Sequence, residues 1–180
     1  NLDGSTTLGD IGGTGAIQIA QGNSLNVQGG VFDGQISGTG TLNKLGVRRL
    51  ALTRSNSHVG DTNVQAGELR VDGSLDSGTV TVASGATLSG SGSLGGAVTL
   101  SDGASLATVT GSTLQVGSLT LSPQSVVTAQ LGTPDPDGQP LIQVDNDLTL
   151  HGTVNVVDIG GFGAGVHRLF QYGGTLTDNG

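Results

Sequence analysis

The sequence predicts an all-β protein built as a parallel β-helix, and three observations lead to this fold class. Glycine supplies 34 of the 180 residues, only four residues are aromatic, and cysteine, methionine and tryptophan do not occur. Apolar residues make up 34% of the chain and alternate with polar ones in short runs, which is typical of half-buried strands. These runs recur about every 20 residues, the length of one solenoid coil. Helical bundles are excluded, because each glycine in a helix costs about 1 kcal/mol.

A nine-residue unit carries the repetition: apolar, any, apolar, small, any, glycine, any, any, apolar. Its copies are residues 17–25, 80–88, 98–106 and, without the glycine, 119–127. Gly67, Gly85 and Gly103 follow each other at equal intervals along the chain. We expect these glycines and Gly22 to mark the corners of successive coils, where left-handed backbone is needed.

The repeat length indicates how the coils stack. In a β-helix each coil lies about 4.8 Å from the next, so one position forms a column of identical or similar side chains. Small aliphatic side chains fit such columns, which accounts for the scarcity of rings. Dividing the chain by the repeat length gives roughly nine coils. A disordered linker would lack these alternating apolar runs, a leucine-rich repeat would show its helix or asparagine signature, and a β-sandwich would show no such identity in register from repeat to repeat.

The pattern divides the chain into three parts of one continuous solenoid. Residues 1–131 carry the regular coils. Residues 132–140 hold three of the four prolines and predict a projecting loop, because proline removes a donor from the strand ladder. Residues 141–180 are less regular and hold three of the four rings, so we expect them to cap the solenoid.

Charge and composition exclude several function classes. Six lysines and arginines stand against fourteen aspartates and glutamates, a net charge of −8, which argues against nucleic acid or an anionic membrane as a partner. No apolar run approaches the roughly 18 residues that span a bilayer, so we expect no direct membrane insertion. Without cysteine there is no disulfide and no cysteine-ligated metal. We expect neither a cofactor nor a metal.

Candidate catalytic residues are sparse. Ser55, Ser57, His58 and Asp61 offer the residue types of a hydrolase, but no nucleophile-elbow motif accompanies them, and a polar turn is the favoured interpretation. Residues 90–95 match GxGxxG in letters, but a strand pattern and no helix follows them, so a coil corner is favoured over a dinucleotide site.

Two further sets of polar residues are candidates for metal ligands. His151 and His167 are isolated histidines without the spacing of a zinc site. An acidic cluster lies between positions 135 and 147, and its members are Asp135, Asp137, Asp145 and Asp147. Neither the EF-hand spacing nor the aspartate-bearing glycine nonapeptide is present, so solvated carboxylates are expected there.

Four of the six basic residues lie between positions 44 and 54: Lys44, Arg48, Arg49 and Arg54. On an acidic protein this basic patch could bind an anionic glycan or lipopolysaccharide. It is also compatible with the solvated face of one coil, or with edge charges that discourage stacking between molecules.

The stretch 45–103 resembles the repeat found in passenger domains of type V autotransporters. Residues 64–71 (VQAGELRV) and 79–96 (TVTVASGATLSGSGSLGG) carry the resemblance most closely, whereas His58 and Asp61 depart from the ring and the glycine that are usual there. The resemblance implies a right-handed parallel β-helix secreted through an outer-membrane pore, and a location on the surface of a Gram-negative bacterium or outside it. It also implies that residues from about Pro134 onward act as an autochaperone.

The leading functional hypothesis is a structural stalk for adhesion and virulence-type interactions. Its partners would be a receptor or glycan on host or bacterial surfaces, or a second copy of the chain, besides its own translocator barrel outside this segment. One alternative is a carbohydrate-binding or carbohydrate-active β-helix of the lyase or pectinase kind. Another is a non-catalytic stalk whose enzymatic domain, such as a protease, lies outside this segment. An ice-binding solenoid is disfavoured, because the Thr-x-Thr units at 79–81 and 108–110 are out of register.

Overall fold

The structure, a computed structural model, describes residues 2–134 and 138–179. The regular secondary structure in this part consists of twenty-one β-strands, and all their pairings are parallel. No described segment forms a helix long and apolar enough to cross a bilayer. The all-β parallel solenoid expected from the sequence is confirmed.

Most strands are short, as the spacing of the apolar runs predicts. In chain order they are β1 Thr6–Gly13, β2 Ala16–Ile19, β3 Ser24–Phe32, β4 Gln35–Gly38, β5 Thr41–Lys44, β6 Arg49–Leu52, β7 Ser55–His58, β8 Thr62–Val64, β9 Glu68–Val71, β10 Ser74–Leu75 and β11 Thr79–Val82. The second half continues with β12 Thr87–Gly90, β13 Ser93–Leu100, β14 Ser105–Ala107, β15 Leu114–Leu121, β16 Val126–Leu131, β17 Ile142–Val144, β18 Leu148–Leu150, β19 Thr153–Asp158, β20 Phe170–Tyr172 and β21 Leu176–Asp178.

Each coil contributes strand segments to three columns, in which a strand pairs with its counterparts in the coils on either side. The first column contains the start of β1 and of β3, then β5, β8, β11, the ends of β13 and β15, β18 and β21. The second contains the ends of β1 and β3, then β6, β9, β12, β14, β16 and β19. The third contains β2, β4, β7, β10, the starts of β13 and β15, β17 and β20.

The number of coils differs from the nine expected. The structure has about six turns of the regular size, which lead from Thr6 to Leu119 along the first column. Two longer turns follow, in which Leu119 pairs with Leu148 and Leu148 pairs with Leu176. The prediction of nine coils is wrong because it divided the chain evenly, whereas these last turns carry long connections outside the ladder.

The core runs through the inside of the coils. Along β16 the residues alternate between partly and fully buried, and the buried members are Val127, Ala129 and Leu131. The same alternation recurs along most strands and produces columns of Leu, Val and Ile that are shielded from water over the regular turns. Burying each such side chain contributes about 1.5–3 kcal/mol. The repeat in the sequence coincides with the stacking register, since Val82 pairs with both Val64 and Leu100.

The four glycines assigned to coil corners lie in turns and have positive φ. The φ angles of Gly22, Gly67, Gly85 and Gly103 are 79°, 65°, 76° and 76°. At Gly67 a second constraint applies, because a Cβ atom would lie 2.5 Å from the carbonyl oxygen of Gly46 in the preceding coil. A side chain at that corner would therefore be strained twice, by its backbone angle and by the close approach of the coil below.

Residues 141–179 continue the three columns. Strand β19 pairs with β16 on one side, and all six of its residues are exposed. Val154 and Val156, which stack on the buried Val127 and Ala129, are 39% and 45% exposed. The described residues of this segment thus extend the solenoid and leave the apolar interior of its last turn accessible. Residues 135–137 of the expected loop lie outside the described residues, and the three-part division stays a prediction.

Candidate functional site

Three of the four residues of the basic patch lie at the solvent-exposed surface around β6. Arg48 precedes the strand, Arg49 begins it and Arg54 follows it. Because each coil stacks on the preceding one, two of these arginines form ion pairs with aspartates that lie far away in sequence. The Arg48 Nη1 atom lies 2.5 Å from the Asp10 Oδ2 atom, and the Arg54 Nε atom lies 2.9 Å from the Asp33 Oδ1 atom. Two of the three guanidinium groups are thus already paired within the chain.

The Arg54–Asp33 pair is the better organised of the two. Asp33 Oδ1 also accepts a hydrogen bond from the Thr53 hydroxyl at 2.8 Å. The Arg54 guanidinium, followed by this hydroxyl, holds the pKa of the Asp33 carboxyl below its ordinary value. Both side chains remain in solvent, where such pairs contribute little to stability. The anionic-ligand interpretation of the three arginines stays a prediction, and Arg49 is the member whose charge no described acidic group pairs within salt-bridge distance.

Lys44 does not belong to this surface. It is the last residue of β5, where alternation places it on the inner face with Leu42, and it is fully buried. In the adjacent coils Val27 and Val64 occupy its place in the column. Its ammonium group donates hydrogen bonds to the carbonyl oxygens of Gly46 and, at 3.0 Å, of Ala66. Burial lowers the pKa of Lys44 below its ordinary value. Lys44 is therefore a core residue that holds two corner carbonyls, and it is not available to a ligand.

Asn56 is a second polar residue in an aliphatic column. It lies in β7 between Ile36 and Leu75 and is 1% exposed. Its Oδ1 atom accepts a hydrogen bond from the backbone N–H of Ile36 at 2.8 Å, and its Nδ2 atom donates to the carbonyl oxygens of Arg54 at 2.7 Å and Ser74 at 3.1 Å. The amide thus takes the place of backbone partners between coils, which is how a buried polar side chain avoids a desolvation penalty.

His58, Thr62 and Ser77 form a buried hydrogen-bonded chain beside Asn56. The His58 Nε2 atom lies 2.7 Å from the carbonyl oxygen of Gly40, so this nitrogen carries the proton. The other ring nitrogen, Nδ1, then accepts from the Ser77 hydroxyl at 3.4 Å, and Ser77 Oγ lies 2.6 Å from Thr62 Oγ1. Burial, opposed by the Gly40 hydrogen bond and by the charge of Asp61, lowers the pKa of His58. The ring is therefore neutral near pH 7.

This arrangement bears directly on the hydrolase residue types seen in the sequence. Ser55 and Ser57 point outward from β7 and His58 points inward, so the structure does not bring them together. Asp61 is exposed and accepts a hydrogen bond from the Thr79 hydroxyl at 2.7 Å. The serine that does contact His58 is Ser77, which is 1% exposed and has no path to a substrate. These residues hold a coil together.

Two aspartates of the acidic cluster, Asp145 and Asp147, have hydrogen-bond partners within the solenoid. The Asp145 carboxylate accepts hydrogen bonds from the Gln115 amide at 3.0 and 3.1 Å, and Asp147 accepts one from the backbone N–H of Thr175 at 2.8 Å. Asp135 and Asp137 lie outside the described residues. Over residues 2–134 and 138–179 no group of three or more acidic or histidine side chains is placed to hold a metal ion. The glycines of the 90–95 motif lie at the junction of β12 and β13, with no helix after them.

The chain has a relative among characterised proteins. Over 168 residues, 82% of this chain, the sequence is 39% identical to the adhesin BmaC autotransporter of Brucella suis biovar 1 (strain 1330). The chain fits an autotransporter passenger segment. The chain spans 5% of the length of that relative. No protein-family model and no solved structure matches the chain.

The passenger segment also has an outward-facing feature that the sequence analysis missed. In the first column, Asn26, Asn43 and Asn63 form a ladder in which the Asn43 amide donates to Asn26 at 2.8 Å and the Asn63 amide donates to Asn43 at 3.0 Å. Threonines continue the same file through the later coils: Thr81, Thr99, Thr120, Thr149 and Thr177. The signal in the sequence is an asparagine that recurs twice at roughly the length of one coil. The threonines form a single file and not the Thr-x-Thr array of an ice-binding face.

Proposed function

We propose that this passenger segment is a rigid, non-catalytic stalk of a surface-displayed or secreted adhesin. The observation that carries the proposal is the similarity to an autotransporter adhesin across most of the chain, together with one core that continues from coil to coil. A solenoid of this kind keeps its length without flexible joints, because every coil is hydrogen-bonded to both neighbours. The passenger would hold binding surfaces at a distance from the outer membrane of a Gram-negative bacterium.

A catalytic role is not favoured by the chemistry that the coils present. The Ser77–His58 pair is buried, the arginines Arg48 and Arg54 are neutralised by aspartates, and the carboxylates of Asp145 and Asp147 are engaged in hydrogen bonds between coils. The relative is named an adhesin. We therefore infer that the segment supports the adhesin and contacts its binding partners, and that any enzymatic domain of the parent protein lies outside this segment.

Surface display tests this function. The 180-residue chain would be fused to an unrelated translocator barrel in a non-adherent Gram-negative strain, and attachment to cultured mammalian cells and to matrix-coated plates would be counted. We expect attachment above that of the barrel alone at equal surface density, measured by an epitope tag. The matched control is a β-helix of similar length from an unrelated passenger. Attachment no greater than this control would contradict an adhesive role for the segment.

We further propose that residues from about Pro134 onward act as the autochaperone that the sequence resemblance implies. These residues form most of the two longest turns, and β17, β18 and β19 stack on the preceding coils through β15 and β16. A pre-formed turn of this kind offers a strand edge on which the preceding coil can pair. Deletion of residues 134–180 should slow refolding from urea and lower the surface yield. Unchanged refolding kinetics and unchanged yield would refute this role.

A further inference from the structure

One outward face of the solenoid carries a file of asparagines and threonines along the whole first column, which we call the Asn/Thr file. Its members stack on one another in the strand ladder, and none of them is buried: Thr7, Asn26, Asn43, Asn63, Thr81, Thr99, Thr120, Thr149 and Thr177. At about 4.8 Å per strand the file is about 40 Å long. None of these side chains is charged, although the chain has a net charge of −8.

The asparagines of the Asn/Thr file are held in one orientation and keep part of their hydrogen-bonding capacity. The Asn26 amide donates to the Thr7 hydroxyl at 3.1 Å, and the same ladder continues through Asn43 to Asn63. An amide has two N–H groups and an oxygen with two lone pairs, so one ladder bond at each atom leaves a second bond possible. Because these side chains are already ordered, binding a partner to them costs little conformational entropy.

The threonines of the file present hydroxyl groups to solvent. In the part of the chain that the structure describes, the hydroxyls of Thr81, Thr99 and Thr120 form no hydrogen bond with another group of the chain. A hydroxyl both donates and accepts, as does an amide. The Asn/Thr file can therefore form hydrogen bonds with a surface that is made of the same groups.

We propose that a second copy of this chain packs on the Asn/Thr file, with the axes of the two solenoids antiparallel. A two-fold axis at Thr81, the middle member, reverses the order of the file in the other copy. The facing pairs are then Asn26 with Thr149, Asn43 with Thr120, and Asn63 with Thr99. A long side chain meets a short one at each of these levels, so the two backbones keep an even separation. In parallel copies asparagine would face asparagine, and the threonine half of the interface would be held open.

Three properties of the face favour another copy of the chain over a different partner. The strand spacing is the same in both copies, so their side chains meet at every level of the stack. The amides and hydroxyls are self-complementary. An acidic chain repels its own copies, and this face has an uncharged centre. Asp61 and Asp147 flank the file, each two residues before one of its members, and the two-fold axis places them opposite Ala97 and Ser24 and not opposite each other.

The size of the interface predicts a weak dimer. A face about 40 Å long and about 13 Å wide, the length of four residues along a strand, covers about 500 Å² per copy. Specific interfaces typically bury about 800 Å² per partner, and smaller ones belong to weak or transient complexes. We therefore expect a Kd in the micromolar range or weaker, so that copies pair where they are concentrated.

Sedimentation equilibrium of the purified 180-residue chain, from micromolar to millimolar concentration, tests the pairing. We expect the average mass to rise from monomer towards dimer. Thr81→Asp is the key variant, because the two-fold axis places its two carboxylates opposite each other, and the Kd should rise at least about tenfold. Ser57→Asp is the matched control. It adds the same charge at an exposed serine in the third column and should leave the Kd unchanged.

Chemical cross-linking tests the antiparallel arrangement, because the chain has no cysteine and single thiols can be introduced. Packed sheets lie about 10 Å apart, a distance that a short bis-maleimide spans. The Thr81→Cys variant should cross-link to itself. The Thr149→Cys variant should cross-link to the Asn26→Cys variant in a mixture and not to itself, since the two thiols at position 149 would lie about 30 Å apart along the stack.

Three results would overturn the proposal. One is a chain that stays monomeric at millimolar concentration, which would leave the face to a different partner. The second is an equal loss of the dimer in Thr81→Asp and Ser57→Asp. The third is cross-linking of Thr149→Cys to itself, which requires parallel copies. Pairing between copies goes beyond the proposed adhesive function and is measured in solution without cells, so failure of the pairing and failure of the adhesive function are distinguishable.

Discussion

Arg48 reaches over Gly29 to form an ion pair with Asp10, and the three residues belong to three successive coils. The Arg48 Nη1 and Asp10 Oδ2 atoms lie 2.5 Å apart. A Cβ atom on Gly29 would lie 2.9 Å from Arg48 Cβ, 3.0 Å from the carbonyl oxygen of Arg49 and 3.0 Å from Asp10 Oδ1. Gly29 thus provides space between coils, a role distinct from the positive φ angles of the corner glycines.

Gly29→Ala should therefore lower the free energy of unfolding by about 1–3 kcal/mol, the usual cost of inserting a methyl group into a packed region. Urea denaturation followed by circular dichroism measures the change. The control is Gly12→Ala in β1, where the new Cβ would meet only the Val31 carbonyl oxygen, at 3.4 Å. The control should leave stability unchanged or raise it slightly. Equal costs at the two positions would show that the space over Gly29 is not needed.

Lys44 should resist chemical modification in the folded chain. It is the one lysine in the sequence, and its ammonium group is buried among carbonyl oxygens. With an amine-reactive ester at pH 8, peptide mapping by mass spectrometry should show labelling of Lys44 at least about tenfold slower than in urea, because reaction requires local opening. The α-amino group serves as the internal control and should react in both states. Rapid labelling of native Lys44 would place it on the surface with the arginines.

Asn56→Leu should destabilise the protein although leucine or isoleucine occupies the same place in both neighbouring coils. The substitution leaves the Ile36 N–H without its side-chain partner and removes one of the two donors to the Arg54 carbonyl oxygen, which keeps the backbone N–H of Ser74. An orphaned buried group costs about 1–3 kcal/mol, so we expect a loss of about 2 kcal/mol in urea denaturation. Thr62→Val is the matched comparison: it also restores an aliphatic column, removes only the bond to Ser77, and should cost no more than about 1 kcal/mol. A stabilising Asn56→Leu would contradict this account.

Stability should fall as the pH is lowered through the range in which His58 titrates. Because burial depresses its pKa in the folded state, the unfolded chain takes up a proton first, near the ordinary value of 6.5. The free energy of unfolding is therefore unaffected by His58 above this pH and decreases below it, by up to about 1.4 kcal/mol per pH unit, until the folded-state pKa is reached. Urea midpoints at pH 7.5, 6.5 and 5.5 measure the slope. His58→Gln keeps an N–H near Gly40 and should flatten it, whereas an unchanged slope in this variant would assign the effect elsewhere.

The parallel stack was predictable because residues that recur at the length of one coil are the residues that stack on one another in the fold. Val64, Val82 and Leu100 recur at equal intervals and stack on one another for that reason. The assumption of an even coil length fails beyond Leu121. The spacing of the prolines does not predict how many residues of a connection lie outside the strand ladder. The resemblance drawn from residues 64–71 and 79–96 is confirmed by the similarity to an autotransporter adhesin.

The sequence analysis assigned Lys44 to the basic surface patch, whereas the residue is buried. The local sequence pattern cannot decide between these two positions. Alternation along β5 places it on the inner face with Leu42, whereas its charge and the nearby arginines argue for the surface. The conflict is decided by the Gly46 and Ala66 carbonyl groups, which approach one another only after two coils have stacked. Likewise, the partner of His58 is Ser77, in the next coil, and not the serines beside it in sequence.

The buried polar residues also give the stack a defined alignment. If the coils of such a chain paired out of register by one whole coil, leucine would still be buried against valine. Hydrophobic packing alone therefore does not exclude a shifted register. His58 and Thr62 do not tolerate it, because both bond to the hydroxyl of Ser77, a side chain that lies at one level of the stack. These residues fix the register in which all the other coils stack. A repetitive sequence thereby folds with a single pairing between its coils.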